Sequence, residues 1–159
     1  MIGKTSHVKQ PRAVHLIDAE NLCGSPLLTA SAVRDLRRTY TDRVPVGPMD
    51  QIILASAHIS VLALQAGWPG QRYVMRSGPN GADIRLAEIV AEEQLQRRFQ
   101  HVYFGSGDGG LAPFAGFLEG NGVPVTAVSR IESISPRMRL ATSEVIYLNH
   151  PAVALMRAA

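Results

Sequence analysis

From residue 13 to residue 148, short apolar runs alternate with longer stretches whose apolar positions fall three and four apart. The runs AVHLI at 13–17, QIILA at 51–55, RYVMR at 72–76, HVYFG at 101–105 and PVTAV at 124–128 read as strands, and a last strand is predicted over 144–148. Helical spacing is found over 31–40, where Val33, Leu36 and Tyr40 share one side and arginines the other. Further helices are predicted over 59–66, 83–98, 111–119 and 135–141. Gly67 and Pro69, Gly120 and Gly122, and the loop DRVPVGPMD punctuate the pattern. The order βαβαβαβαβ implies a single α/β domain over 13–149, a three-layer α/β/α arrangement around a mostly parallel sheet. In such sheets ligands bind beyond the carboxyl ends of the strands, where the strand order reverses. That rule selects the loops after Ile17, Arg76 and Gly105.

Composition changes this picture little. Hydrophobic residues are 46% and charged residues 18% of the 159 residues, which suits one globular domain rather than a disordered chain. The net charge of +3 permits a polyanionic partner without establishing one. Cys23 is the single cysteine, so neither a disulfide framework nor a cysteine-rich zinc site can form within one chain. The first dozen residues, MIGKTSHVKQPR, read as a basic tail rather than a signal peptide, and residues 150–159 as an extension. No apolar run reaches the ~20 residues of a membrane helix, and the expectation is a cytoplasmic protein.

The three selected loops carry the candidate chemistry. IDAEN places Asp18 directly off the first strand, with Glu20 and Asn21 behind it. GPNGAD brings Asp83 to the start of the long helix, and FGSGDGG sets Ser106 and Asp108 beyond the fourth strand. Three carboxylates at one rim repel unless a proton or cation intervenes. Hard oxygen ligands of this kind suit Mg²⁺ or Mn²⁺, which share phosphate oxygens as ligands and can lower the pKa of a bound water. Each acid also has a plainer reading: Asp83 as a helix N-cap, Asp108 as turn chemistry, Glu20 as a solvated charge. GSGDGG lacks the Lys-Ser/Thr pair of a P-loop, and its position after the fourth strand argues against a Rossmann fingerprint. His15 reads as a packed histidine, while His58, His101 and His150 lack metal-like spacing. Arg76 and Arg85 bracket the Asp83 loop and are the arginines placed to touch phosphates. Few aromatics are present, which argues against a broad base-stacking platform.

HLIDAENL resembles the first motif of NYN domains, a branch of the PIN-like nucleases, in which a strand ends in Asp and Asn follows. GADIRLAEIV is similar to their second motif and VYFGSGDGGLAPF to their third, and the likeness runs in order from Ala13 to Ser129. The resemblance implies a PIN-like, Rossmann-like fold and a Mg²⁺- or Mn²⁺-dependent endoribonuclease that leaves a 5′-phosphate and a 3′-hydroxyl. It implies Asp18, Asp83 and Asp108 as metal ligands. It also implies Asn21 as the residue positioning the phosphate or its water, and Ser106 as support for the third acid. The chain departs from the pattern at Gly110, where the family has a second acid, and at Leu111, where an aromatic is usual. Glu20 is the residue available to compensate. The implied partner is single-stranded RNA, with a second copy or a protein partner as further options. The alternative is a PIN-like domain that binds RNA or protein without cutting. Receivers and haloacid-dehalogenase-like phosphatases fit less well. Arg76 and Ser77 stand where a receiver needs its acceptor Asp, and Glu20 where the phosphatases need a second Asp.

Overall fold

The computed structural model describes residues 11–149. The expected tail up to residue 10 and the extension from 150, with His150, lie outside the described residues. Six strands form one sheet: β1 (Ala13–Asp18), β2 (Gln51–Ser56), β3 (Arg72–Met75), β4 (His101–Gly105), β5 (Val125–Ser129) and β6 (Glu144–Tyr147). Their order is β3-β2-β1-β4-β5-β6, and every neighbouring pair is parallel. All six residues of β1 are buried, as a central strand covered on both faces requires.

Alternation along β1 divides the core. Val14 and Leu16 face one side, where α4 (Gly81–Glu92), α5 (Leu95–Arg98), α6 (Ala112–Gly120) and α7 (Pro136–Ala141) contribute Leu86, Leu95, Leu118 and Met138. Ala13 and Ile17 face the other, against α1 (Ala19–Cys23), α2 (Ala30–Arg43) and α3 (Val61–Gly67), which contribute Leu22, Tyr40 and Leu64. This is the three-layer α/β/α fold, in one domain. Among the described residues no helix is long and apolar enough to cross a membrane.

His15 also faces the second side, at the amino end of the sheet, and is fully buried. Its Nε2 lies 2.9 Å from Asp50 Oδ2 and its Nδ1 2.7 Å from the Tyr40 hydroxyl. An ionised Asp50 accepts, so Nε2 carries the proton and Nδ1 accepts from Tyr40. Burial holds the His15 pKa below its usual value. Burial alone would raise Asp50, but the bonds from His15 and from the Ala13 and Gly47 amides outweigh it and lower it. The Tyr103 ring stacks on His15 at 4.5 Å between centroids.

Three local expectations change. IDAEN is not a loop: Asp18 caps α1, which closes at Gly24 with left-handed φ of 69°. The helix expected over 83–98 starts two residues earlier and breaks at Gln94, whose φ is 50°. That break turns the chain so that Leu95 and Phe99 are buried, and no glycine or proline announces it. Arg12 is no loose tail: its amide donates to Gln100 at 2.7 Å, and its guanidinium lies over Phe99.

Candidate acidic site

The sheet order reverses between β1 and β4, because β1 pairs with β2 on one side and β4 on the other. At the carboxyl ends of those strands lies a cavity of about 320 Å³. Asp18, Asp83 and Asp108 all line it, with Glu20, Asn21 and Arg76. The three selected segments thus meet at one concavity.

Asp18 is 6% exposed at the end of β1. Its Oδ1 accepts from the Asn21 amide at 3.0 Å, so the plainer capping role falls to this acid rather than to Asp83. Asp83 is the third residue of α4, whose cap is Asn80 with φ of 55° and no side-chain capping bond. Asp108 opens the short 3₁₀ turn at Gly109–Leu111 and accepts from the Gly110 amide at 2.7 Å. Asp18 and Asp108 therefore combine turn chemistry with a place in the cavity.

Ser106 and Asn21 hold the third loop. The buried Ser106 hydroxyl donates toward Asp83 at 3.5 Å and accepts from the Asp108 amide at 3.2 Å. Asn21 Oδ1 accepts from the Gly107 amide at 3.3 Å, which ties α1 to the turn after β4. Glu20 is not a plain solvated charge, since its carboxylate accepts from the Ala57 amide at 2.8 Å and fastens α1 to the end of β2. That bond occupies one oxygen of the acid expected to compensate for Gly110. Arg76 and Arg85 both pair with Glu88, so part of their charge is already neutralised at the rim.

Two glycines set the spacing, neither of which the sequence singled out. A Cβ at Gly81 would stand 2.3 Å from the Arg76 carbonyl oxygen. At Gly107 it would stand 2.3 Å from the Ser133 carbonyl oxygen. Each glycine lets one acid-bearing segment pack directly on neighbouring backbone.

The electrostatics are those of crowded like charges. Burial, then the charges of Asp18 and Asp108, push Asp83 up to about 8. Asp18 is raised as well, chiefly by burial, though the Asn21 amide and a hydrogen bond with Asp83 oppose the rise. Without a cation, crowding of the acids favours holding a proton within the Asp18–Asp83 pair. Among the described residues, none of the three acids forms an ion pair with an arginine or histidine. Carboxylate oxygens that no cationic side chain pairs with fit a hard divalent ion in chemistry. In spacing they do not: among the described residues no three His, Cys, Asp or Glu side chains stand as a set that could hold a metal ion.

No protein-family model matches the chain. Comparison with curated proteins finds no match. In structure the chain is similar to a protein of unknown function from Vibrio parahaemolyticus, seen in a crystal structure. The TM-score is 0.60 at 11% identity, over 87% of this chain and 93% of that one. At that identity the likeness shows the shared fold alone.

Proposed function

We propose that this protein is a metal-dependent endoribonuclease of the NYN branch of PIN-like domains, acting in the cytoplasm on single-stranded RNA. The observation that carries the reading is the meeting of Asp18, Asp83 and Asp108 in one cavity at the switch point. A cation relieves the repulsion among such crowded carboxylates. Mg²⁺ or Mn²⁺ would be held by these three acids. When bound it would supply positive charge against a phosphate and acidify a water.

The chain's own groups do the rest. Asn21 and Ser106 fix the turn that carries Asp108. Arg76 and Arg85, gathered on Glu88, offer guanidinium hydrogens to a strand leaving the cavity. Hydrolysis forms a bond from a water oxygen to phosphorus and breaks the bond to the 3′ oxygen, which leaves as a hydroxyl.

A non-catalytic domain that binds RNA or a protein partner is the second reading. Gly110 in place of an acid, and acids not closed into a ligand set, favour it. Incubation of purified protein with single-stranded RNA, with and without Mn²⁺ or Mg²⁺, separates the two. The expected result is cleavage that needs the ion and stops in chelator. Cleavage that persists in chelator, or RNA bound but never cut with Mn²⁺ present, sinks the enzyme reading.

A further inference from the structure

A second cavity, of about 480 Å³, opens between α4 and α6. It shares Asn80, Asp83 and Asp108 with the acidic cavity, so the two adjoin at these residues. Their characters differ. Beyond the shared acids, Ile84, Ala87 and Ala91 from α4 and Phe114 from α6 form apolar walls. Ile84 is 39% exposed, while Phe114 is half-buried and packs against the core.

Gly110 belongs to the apolar compartment alone. It lines the apolar cavity beside Asp108, and a Cβ built on it would meet only the Asp108 carboxylate, at 3.0 Å. The departure from the resembled pattern thus removes an acid and leaves an opening. Any acidic side chain there would project beside Asp108 at the mouth of the apolar space.

A nucleotide has the same division, with a charged phosphate and a flat, uncharged base a few bonds away. Carboxylates take the phosphate only through a cation, while apolar walls and an aromatic ring take the base. The volume falls within the ~300–1,000 Å³ of small-ligand pockets. It has room for one base and its ribose but not for a duplex. We propose that the cavity between α4 and α6 seats the base of one unpaired nucleotide beside the phosphate at the acids, with Phe114 as its stacking surface and Gly110 as the opening. The inference rests on the RNA reading of the acidic site but not on cleavage.

The test measures binding of a short fluorescent single-stranded RNA and of the same strand made abasic, to the whole protein. Ca²⁺ replaces Mn²⁺ so that the strand stays intact. Wild type should bind the base-bearing strand more tightly. Phe114→Ala should weaken that binding by about 10-fold, within the range of removing one base–aromatic stack, and leave abasic binding unchanged. Ala91→Trp, at an exposed helical position, fills the cavity without disturbing the core and should give the same pattern. Wild type that binds both strands alike, or variants that lose both equally, overturns the base pocket, as does a protein that binds neither. Discrimination between the strands without any cleavage in Mn²⁺ supports the pocket and removes only the nuclease reading.

Discussion

At the amino ends of the strands the buried His15 meets the Asp50 carboxylate; at the carboxyl ends the buried Asp18 meets the half-buried Asp83. The first pair is complementary. His15 uses both ring nitrogens, and Asp50 accepts from His15, Ala13 and Gly47. The second pair is alike in charge, and the added neighbour, Asp108, is alike again. Both clusters cost desolvation and both accept hydrogen bonds from the chain, but only the first pairs its carboxylate with a histidine. A buried polar group that is fully partnered explains itself as architecture. Buried like charges without a counter-charge point to something that binds there.

Substitutions at the two ends should separate these roles. The largest effect is expected at Asp18→Asn, which keeps size but removes charge. Cleavage should fall by about 10²- to 10³-fold, the scale of losing one group that stabilises transition-state charge. The apo-protein should be as stable as wild type or more so. RNA turnover in Mn²⁺ and thermal melts in chelator check both halves; full activity in this variant would falsify the assignment.

His15→Ala should do the reverse. It strands the buried Asp50 carboxylate and the Tyr40 hydroxyl, at a cost of about 3 kcal/mol, while cleavage at low temperature stays near wild type. Urea unfolding measures the loss. A stable variant with impaired turnover would reverse the comparison.

Acid and base should also act oppositely at the two ends. Asp83 binds its proton more tightly folded than unfolded, so the stability it contributes is full in acid. That contribution is lost as pH rises from its usual 3.8 through about 8. His15 is lowered, so its contribution is present above 6.5 and lost as pH falls through the folded value. In chelator, Asp83→Asn should therefore remove the loss of stability as pH rises from 3.8 to about 8, and His15→Ala the loss as pH falls below 6.5. Identical profiles for wild type and both variants would remove the electrostatic contrast.

Smaller effects refine the upper end. Gly110→Asp restores the acid of the resembled pattern and should tighten Mn²⁺ binding by roughly 10-fold, one step of about 1.4 kcal/mol. Calorimetry reads this directly, and an unchanged affinity would mean that Gly110 is not the weak point. Replacing Arg76 and Arg85 together should lower the salt slope of RNA binding by about 2, near one unit for each phosphate no longer neutralised. Their shared partner Glu88 makes this the mildest change, and an unaltered slope would place the RNA elsewhere.

The architecture is legible in the sequence because parallel strands covered on both faces leave unbroken apolar runs, and the bounds of His101–Gly105 agree to the residue. Local geometry is less legible. Residues 19–23 read as a loop because so short a helix has no periodicity; its signature is a cap at Asp18 and a left-handed Gly24. The Gln94 break leaves no mark, since the gain from burying Leu95 and Phe99 is tertiary. Asp18, Asp83 and Asp108 can be chosen from their loops, but the order of their charges cannot. That Glu20 is tied to Ala57, and Arg76 and Arg85 to Glu88, depends on distances that only the folded chain sets.

Gly81 and Gly107 carry a consequence for tolerance to change. A pooled library covering every substitution at the cavity, selected for RNA cleavage, should show graded losses at the acids, with aspartate to glutamate sometimes surviving. At 81 and 107 it should show an abrupt boundary at the first carbon, alanine included, because the obstructing atoms are main-chain oxygens 2.3 Å away and cannot rotate aside. In distant descendants of this chain, two vacancies would then be inherited more strictly than the charges they serve.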